Sequence, residues 1–153
     1  MLESVAARPG SCQRQQEGEA KKNKMFMTKK ISPVPDAVAP DGSDVRILLG
    51  LNGGGMAHFE LAAGQTSLAV AHHTVEEIWF FVNGRGEMWR ELGGHQEIVA
   101  VEPGVCLTIP VGTKFQFRSF GPDPLAAIGV TMPPWPGPGE AHSVAGKWEA
   151  TIR

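Results

Sequence analysis

The chain contains no apolar run near the roughly 18–20 residues that a membrane-spanning helix requires. It has only two cysteines, Cys12 and Cys106, with no spacing that pairs them, so a disulfide framework is excluded and a reducing cytoplasm is the expected location. Extended windows of 3.6-residue periodicity are missing, as are helix start signals, and almost no helix is expected. There is no serine or cysteine nucleophile signature. Cys106, in "GVCLTIP", reads as a small apolar side chain in a buried strand. The opening "MLESVAARPGSCQRQQEGEAKKNK" lacks the apolar centre of a secretory signal, and Met25 or Met27 are alternative natural starts.

What is abundant points the other way. Nineteen glycines and twelve prolines in 153 residues imply frequent tight turns, hence many short strands. The formal net charge of −2 conceals an asymmetry. Before residue 31, Arg8, Arg14, Lys21, Lys22, Lys24, Lys29 and Lys30 face only Glu3, Glu17 and Glu19, whereas the rest of the chain is acidic. A basic head can bind nucleic acid, but this one has a single aromatic residue, Phe26, and no helical period. It is expected to be a solvated, disordered tail, with neither nucleic acid nor membrane as partner.

From Asp41 onward, apolar and β-branched runs of about six residues alternate with turns. "DVRILLGL", "MAHFELA", "LAVAHH", "EIWFFV", "EMWREL", "EIVAVE", "VCLTIP", "FQFRSF" and "LAAIGVTM" are read as strands, cut by "NGGG", "AGQT", "NGRG", "GGHQ" and similar signals. Such regular spacing indicates an all-β sandwich or barrel. The glycine-rich turn Asn52–Gly55 has no helix after it, so it is a hairpin turn and not a phosphate cradle. Three segments are expected: a disordered basic extension and lead-in at 1–40, a barrel at 41–132, and a proline-rich strap at 133–153. The strap's prolines exclude a central strand, and Trp135 and Trp148 are expected to pack on the outside of the barrel.

The stretch "AVAHHTVEEIWFFVNGRG" carries the densest chemistry. Alternate side chains of a strand share a face, so Ala69, Ala71 and His73 point one way, and Val70 and His72 the other. In the next strand Glu77, Trp79 and Phe81 share a face. If the two strands are neighbours, His73 and Glu77 both enter the barrel. An imidazole and a carboxylate are partial ligands for one divalent ion of Fe, Mn, Ni, Cu or Zn. No organic cofactor is indicated.

Residues 45–132 resemble the cupin superfamily, whose first motif is G-x5-H-x-H-x3/4-E-x6-G and whose second is G-x5-P-x-G-x2-H-x3-N. Glu77 and Gly84 fit the end of the first motif, and Gly104, Pro110 and Gly112 fit the skeleton of the second. The resemblance implies a cupin-type antiparallel β-barrel, jelly-roll-like, with a metal at its mouth and a homodimeric assembly.

The ligand positions depart from that pattern. Counted back from Glu77, the second histidine falls on His73 and the first on Ala71. Counted forward from Gly64, the pair falls on Val70 and His72, and a bulge would turn His72 inward instead. The second motif's histidine position is Phe115 and its asparagine position is Ser119. Halving the ~10–16 kcal/mol of a four-ligand zinc site leaves roughly 5–8 kcal/mol, a dissociation constant from about micromolar to 0.1 mM. The candidate metal ligands are therefore His72, His73 and Glu77, in a weak or degenerate site. The candidate pocket is completed by His58, Trp79, Phe81, Lys114, Phe115 and Phe117. The expected function is binding of a small organic molecule. The alternative is a divalent-metal-dependent dioxygenase, isomerase or lyase, with the ion as Lewis acid or oxygen-activating centre.

Overall fold

The computed structural model describes residues 25–152, and the expectations for residues 1–24, Cys12 included, lie outside that range. Eleven strands follow in order: β1 (Ala37–Val38), β2 (Asp44–Leu51), β3 (Gly54–Leu61), β4 (Val70–His72), β5 (Glu76–Asn83), β6 (Gly86–Leu92), β7 (His95–Val101), β8 (Cys106–Ile109), β9 (Lys114–Ser119), β10 (Leu125–Met132) and β11 (Ala141–Ser143). They form a six-stranded sheet, β1-β2-β3-β10-β5-β8, and a five-stranded sheet, β11-β4-β9-β6-β7. All pairings are antiparallel. Among the described residues no helix is long and apolar enough to cross a membrane.

The two inner faces meet in one core. On β5 burial alternates strictly, with Glu77, Trp79 and Phe81 inside and Ile78, Phe80 and Val82 outside. Opposite them β9 turns Phe115 and Phe117 inward. The Trp79 ring stacks on Phe59 of β3 at 4.8 Å and meets Phe117 edge-on at 5.3 Å, which ties the sheets together. Fully burying one such side chain is worth about 1.5–3 kcal/mol. Two glycines make room for this closure. A Cβ on Gly129 of β10 would stand 2.6 Å from Phe59 Cε2 and 3.0 Å from Trp79 Nε1. A Cβ on Gly86 would stand 1.9 Å from the Arg118 carbonyl oxygen.

The two ends of the described chain wrap the barrel. Upstream, Arg46 donates to the carbonyls of Ser32 and Pro33, and the short β1 pairs with β2. Downstream, β11 pairs with β4 as an edge strand, a place where its proline-rich surroundings are tolerated. The strap then covers the outer face of β9. There the buried Gln116 amide donates to the Ser67 and Trp148 carbonyls and accepts from the Lys147 and Trp148 amides, so all its polar groups are satisfied. Trp148 lies against the Arg118 guanidinium at 4.3 Å, outside the barrel as expected.

Three sequence expectations need correction. Strands β4 and β5 are not neighbours but belong to opposite sheets, so their inward residues face each other across the interior. Cys106 is exposed, because β8 turns Leu107 and Ile109 inward and leaves the alternate positions outside. Trp135 packs not on the barrel wall but over its open end, against His72.

Candidate ligand cavity

The open end of the barrel encloses a cavity of about 390 Å³, between β1, β2 and β3 on one side and β4, β9 and Trp135 on the other. Its walls are mostly aliphatic and aromatic, with Phe59, Trp79, Phe115 and Trp135 supplying the rings. Asp41, His72, Glu77 and Thr131 supply the polar side chains. Among the described lining residues there is no lysine or arginine.

Each polar group is set by its strand or turn. Glu77 and Trp79 are two apart on β5 and share its inner face, so the indole Nε1–H donates to Glu77 Oε2 at 2.7 Å. Glu77 is only 3% exposed, and burial pushes its carboxyl up to about 8, against the opposing effect of the indole bond. The nearby Asp41 adds to the rise. Asp41 sits in the turn before β2 and accepts from the Ser43 amide (2.9 Å) and hydroxyl (2.6 Å). Its burial raises its carboxyl above the usual range despite those two bonds.

His72 ends β4 with its ring edge-on to Phe115 at 5.3 Å and to Trp135 at 5.1 Å. Burial lowers it to about 4, so the imidazole is neutral at physiological pH; Glu140 opposes this and His142 adds to it. Its Nδ1 is buried without a hydrogen-bond partner among the described residues. The turn after it is held by Glu140, whose carboxylate accepts from the Thr74 amide and hydroxyl and the Val75 amide. Burial pushes the Glu140 carboxyl up, but those bonds together outweigh it and keep the carboxyl below its ordinary value.

The structure thus brings together His72, Glu77, Trp79 and Phe115 from the expected set. It does not bring His73, which is exposed beyond the end of β4 and stacks on His142 at 4.3 Å. His58 lies on the opposite face of β3 from the cavity-lining Ala57 and Phe59, near Arg46 and Glu60. Lys114 pairs with Glu91 at 3.8 Å across β9 and β6. Phe81 and Phe117 are deeper core beneath Trp79. Asp41, Phe59 and Trp135 belong to the cavity and were not expected there. Strand parity around His58 would have indicated Phe59; the other two arrive on turns and straps that carry no periodic signal.

A divalent ion does not fit these side chains. With His73 outside and the Phe115 ring in the second motif's histidine position, His72 and Glu77 are what remains of the expected ligands; Asp41 lines the same cavity, but Ser43 already occupies its Oδ1, as Trp79 does Glu77 Oε2. Among the described residues no group of three or more His, Cys, Asp or Glu side chains is placed to hold a metal.

No protein-family model and no curated protein matches the chain. Solved structures do. A conserved protein with a double-stranded β-helix domain from Klebsiella pneumoniae shares 17% identity over 78% of this chain and 100% of that one, with a TM-score of 0.58. Ectoine synthase from P. lautus shares 16% over 84% and 96%, at 0.60. A predicted oxalate decarboxylase from Thermotoga maritima shares 18% over 69% and 98%, at 0.55. At these identities the similarity is one of fold, and it agrees with the two facing antiparallel sheets: the chain is a cupin-type double-stranded β-helix barrel.

Proposed function

We propose that this barrel binds a small organic molecule in its open end and does so without a resident metal. The observation that carries the reading is the aromatic-rich cavity at the barrel end, lined by four polar side chains, the usual composition of a small-molecule site. Its volume, about 390 Å³, is more than twice that of the ~150 Å³ apolar cavity that admits benzene.

Ala57 lines the cavity from β3, so Ala57→Phe puts an added ring into the space a ligand would take. Calorimetry with 2-phenylethanol, a one-ring probe with one hydroxyl, tests the reading. Wild type is expected to bind the probe and Ala57→Phe to lose that binding while keeping its fold. Equal binding by both proteins would place the probe elsewhere and refute the proposal.

A further inference from the structure

We propose that the cavity takes an organic ammonium: a protonated primary or secondary amine on an apolar frame, with its charge beside Glu77 and among the rings of Trp79, Phe115 and Trp135. This rests on the reading of the cavity as a ligand site and adds the ligand's charge and its N–H donors.

The first argument is the charge inventory. Glu77 and Asp41 are 3% and 4% exposed, both line the cavity, and no lysine or arginine stands among its described lining residues. Glu77 Oε2 takes the Trp79 N–H, while Oε1 has no protein donor among the described residues. Asp41 Oδ1 takes both Ser43 donors and leaves Oδ2 without one among the same residues. Acidic side chains are almost never fully buried unless paired; among the described residues no lysine or arginine lines the cavity, and Glu77 stays protonated near neutral pH until a counter-ion arrives. A cationic ligand would provide one.

The second argument comes from aromatic walls and is independent of the acids. Ring quadrupoles attract a desolvated cation, and four aromatic side chains line this space. The third concerns hydrogen bonding. Glu77 Oε1 is left as an acceptor, so a primary or secondary ammonium can donate to it, whereas a quaternary one cannot.

The test compares 2-phenylethylamine with its near-isostere 2-phenylethanol by calorimetry on the full chain near neutral pH, where an alkylamine is an ammonium. The amine is expected to bind wild type about tenfold or more tightly than the alcohol, the scale of a charge-assisted bond. Glu77→Gln, which keeps an acceptor for Trp79 Nε1, is expected to abolish that preference. Equal or weaker binding of the amine by wild type would overturn the ammonium proposal, and this comparison needs no variant. A preference that survives Glu77→Gln would overturn the role of Glu77. Failure of both probes to bind wild type would instead refute the ligand-cavity reading on which the proposal rests.

Discussion

Glu77→Gln should change how stability depends on pH. Burial raises this carboxyl from 4.5 to about 8, so between those values the folded protein keeps a proton that the unfolded chain has released. The unfolded state then binds fewer protons, and stability falls as pH rises across that window. At about 1.4 kcal/mol per pH unit the whole window amounts to something on the order of 5 kcal/mol. His72 works in the opposite direction. Lowered from 6.5 to about 4, it contributes stability that is fully present above 6.5 and is lost as pH falls toward 4. Allowing for solvent screening, that contribution is on the order of 2 kcal/mol. The two slopes oppose each other between 4.5 and 6.5, so wild-type stability should be nearly level there and should decline from 6.5 to 8. Glutamine cannot ionise, so the variant should lose most of that decline, with the raised carboxyl of Asp41 leaving a smaller residual slope of the same sign. Urea unfolding followed by tryptophan fluorescence across this range measures the effect. At alkaline pH Glu77→Gln should be more stable than wild type by a few kcal/mol. An identical alkaline decline in both proteins would refute the assignment to Glu77.

Three further changes probe the packing around the cavity. Gly129→Ala places a methyl 2.6 Å from Phe59 Cε2, so it should disturb the Phe59–Trp79 stack, cost about 1–3 kcal/mol and alter tryptophan emission. Glu140→Ala removes the acceptor for three donors at residues 74 and 75 and should cost about 1.5–3 kcal/mol, with faster amide exchange confined to that turn and β11. Gln116→Ala strands two carbonyls and two amides under the strap. It should cost about 2–4 kcal/mol and make the segment around Trp148 sensitive to limited proteolysis, whereas Glu140→Ala should not.

The long, singly buried strands were legible from sequence. β2 and β10 begin and end where their apolar runs do, and the alternation of β5 correctly placed Glu77, Trp79 and Phe81 on one face. The histidine pair was harder. All three residues of β4 are buried, with β11 paired along its edge, so alternation carries no signal there. His73 follows the last residue of that strand, and one position decides which ring enters the barrel. β1 and β11 have two and three residues, too few for any period to show. Asp41 and Trp135 reach the cavity only through tertiary closure: one rides on a turn before β2, the other on a strap far along the chain. The substituted second motif was the most informative departure, since Phe115 marks in sequence the apolar wall found in the structure.

Where a ligand sits decides whether this cavity is a binding site. Diffraction from crystals soaked with 2-phenylethylamine should show the fragment inside the barrel end, its nitrogen within hydrogen-bonding distance of Glu77 and its ring against the aromatic wall. A fragment bound only on the outer surface, with the cavity left to solvent, would contradict the assignment of this cavity as the binding site.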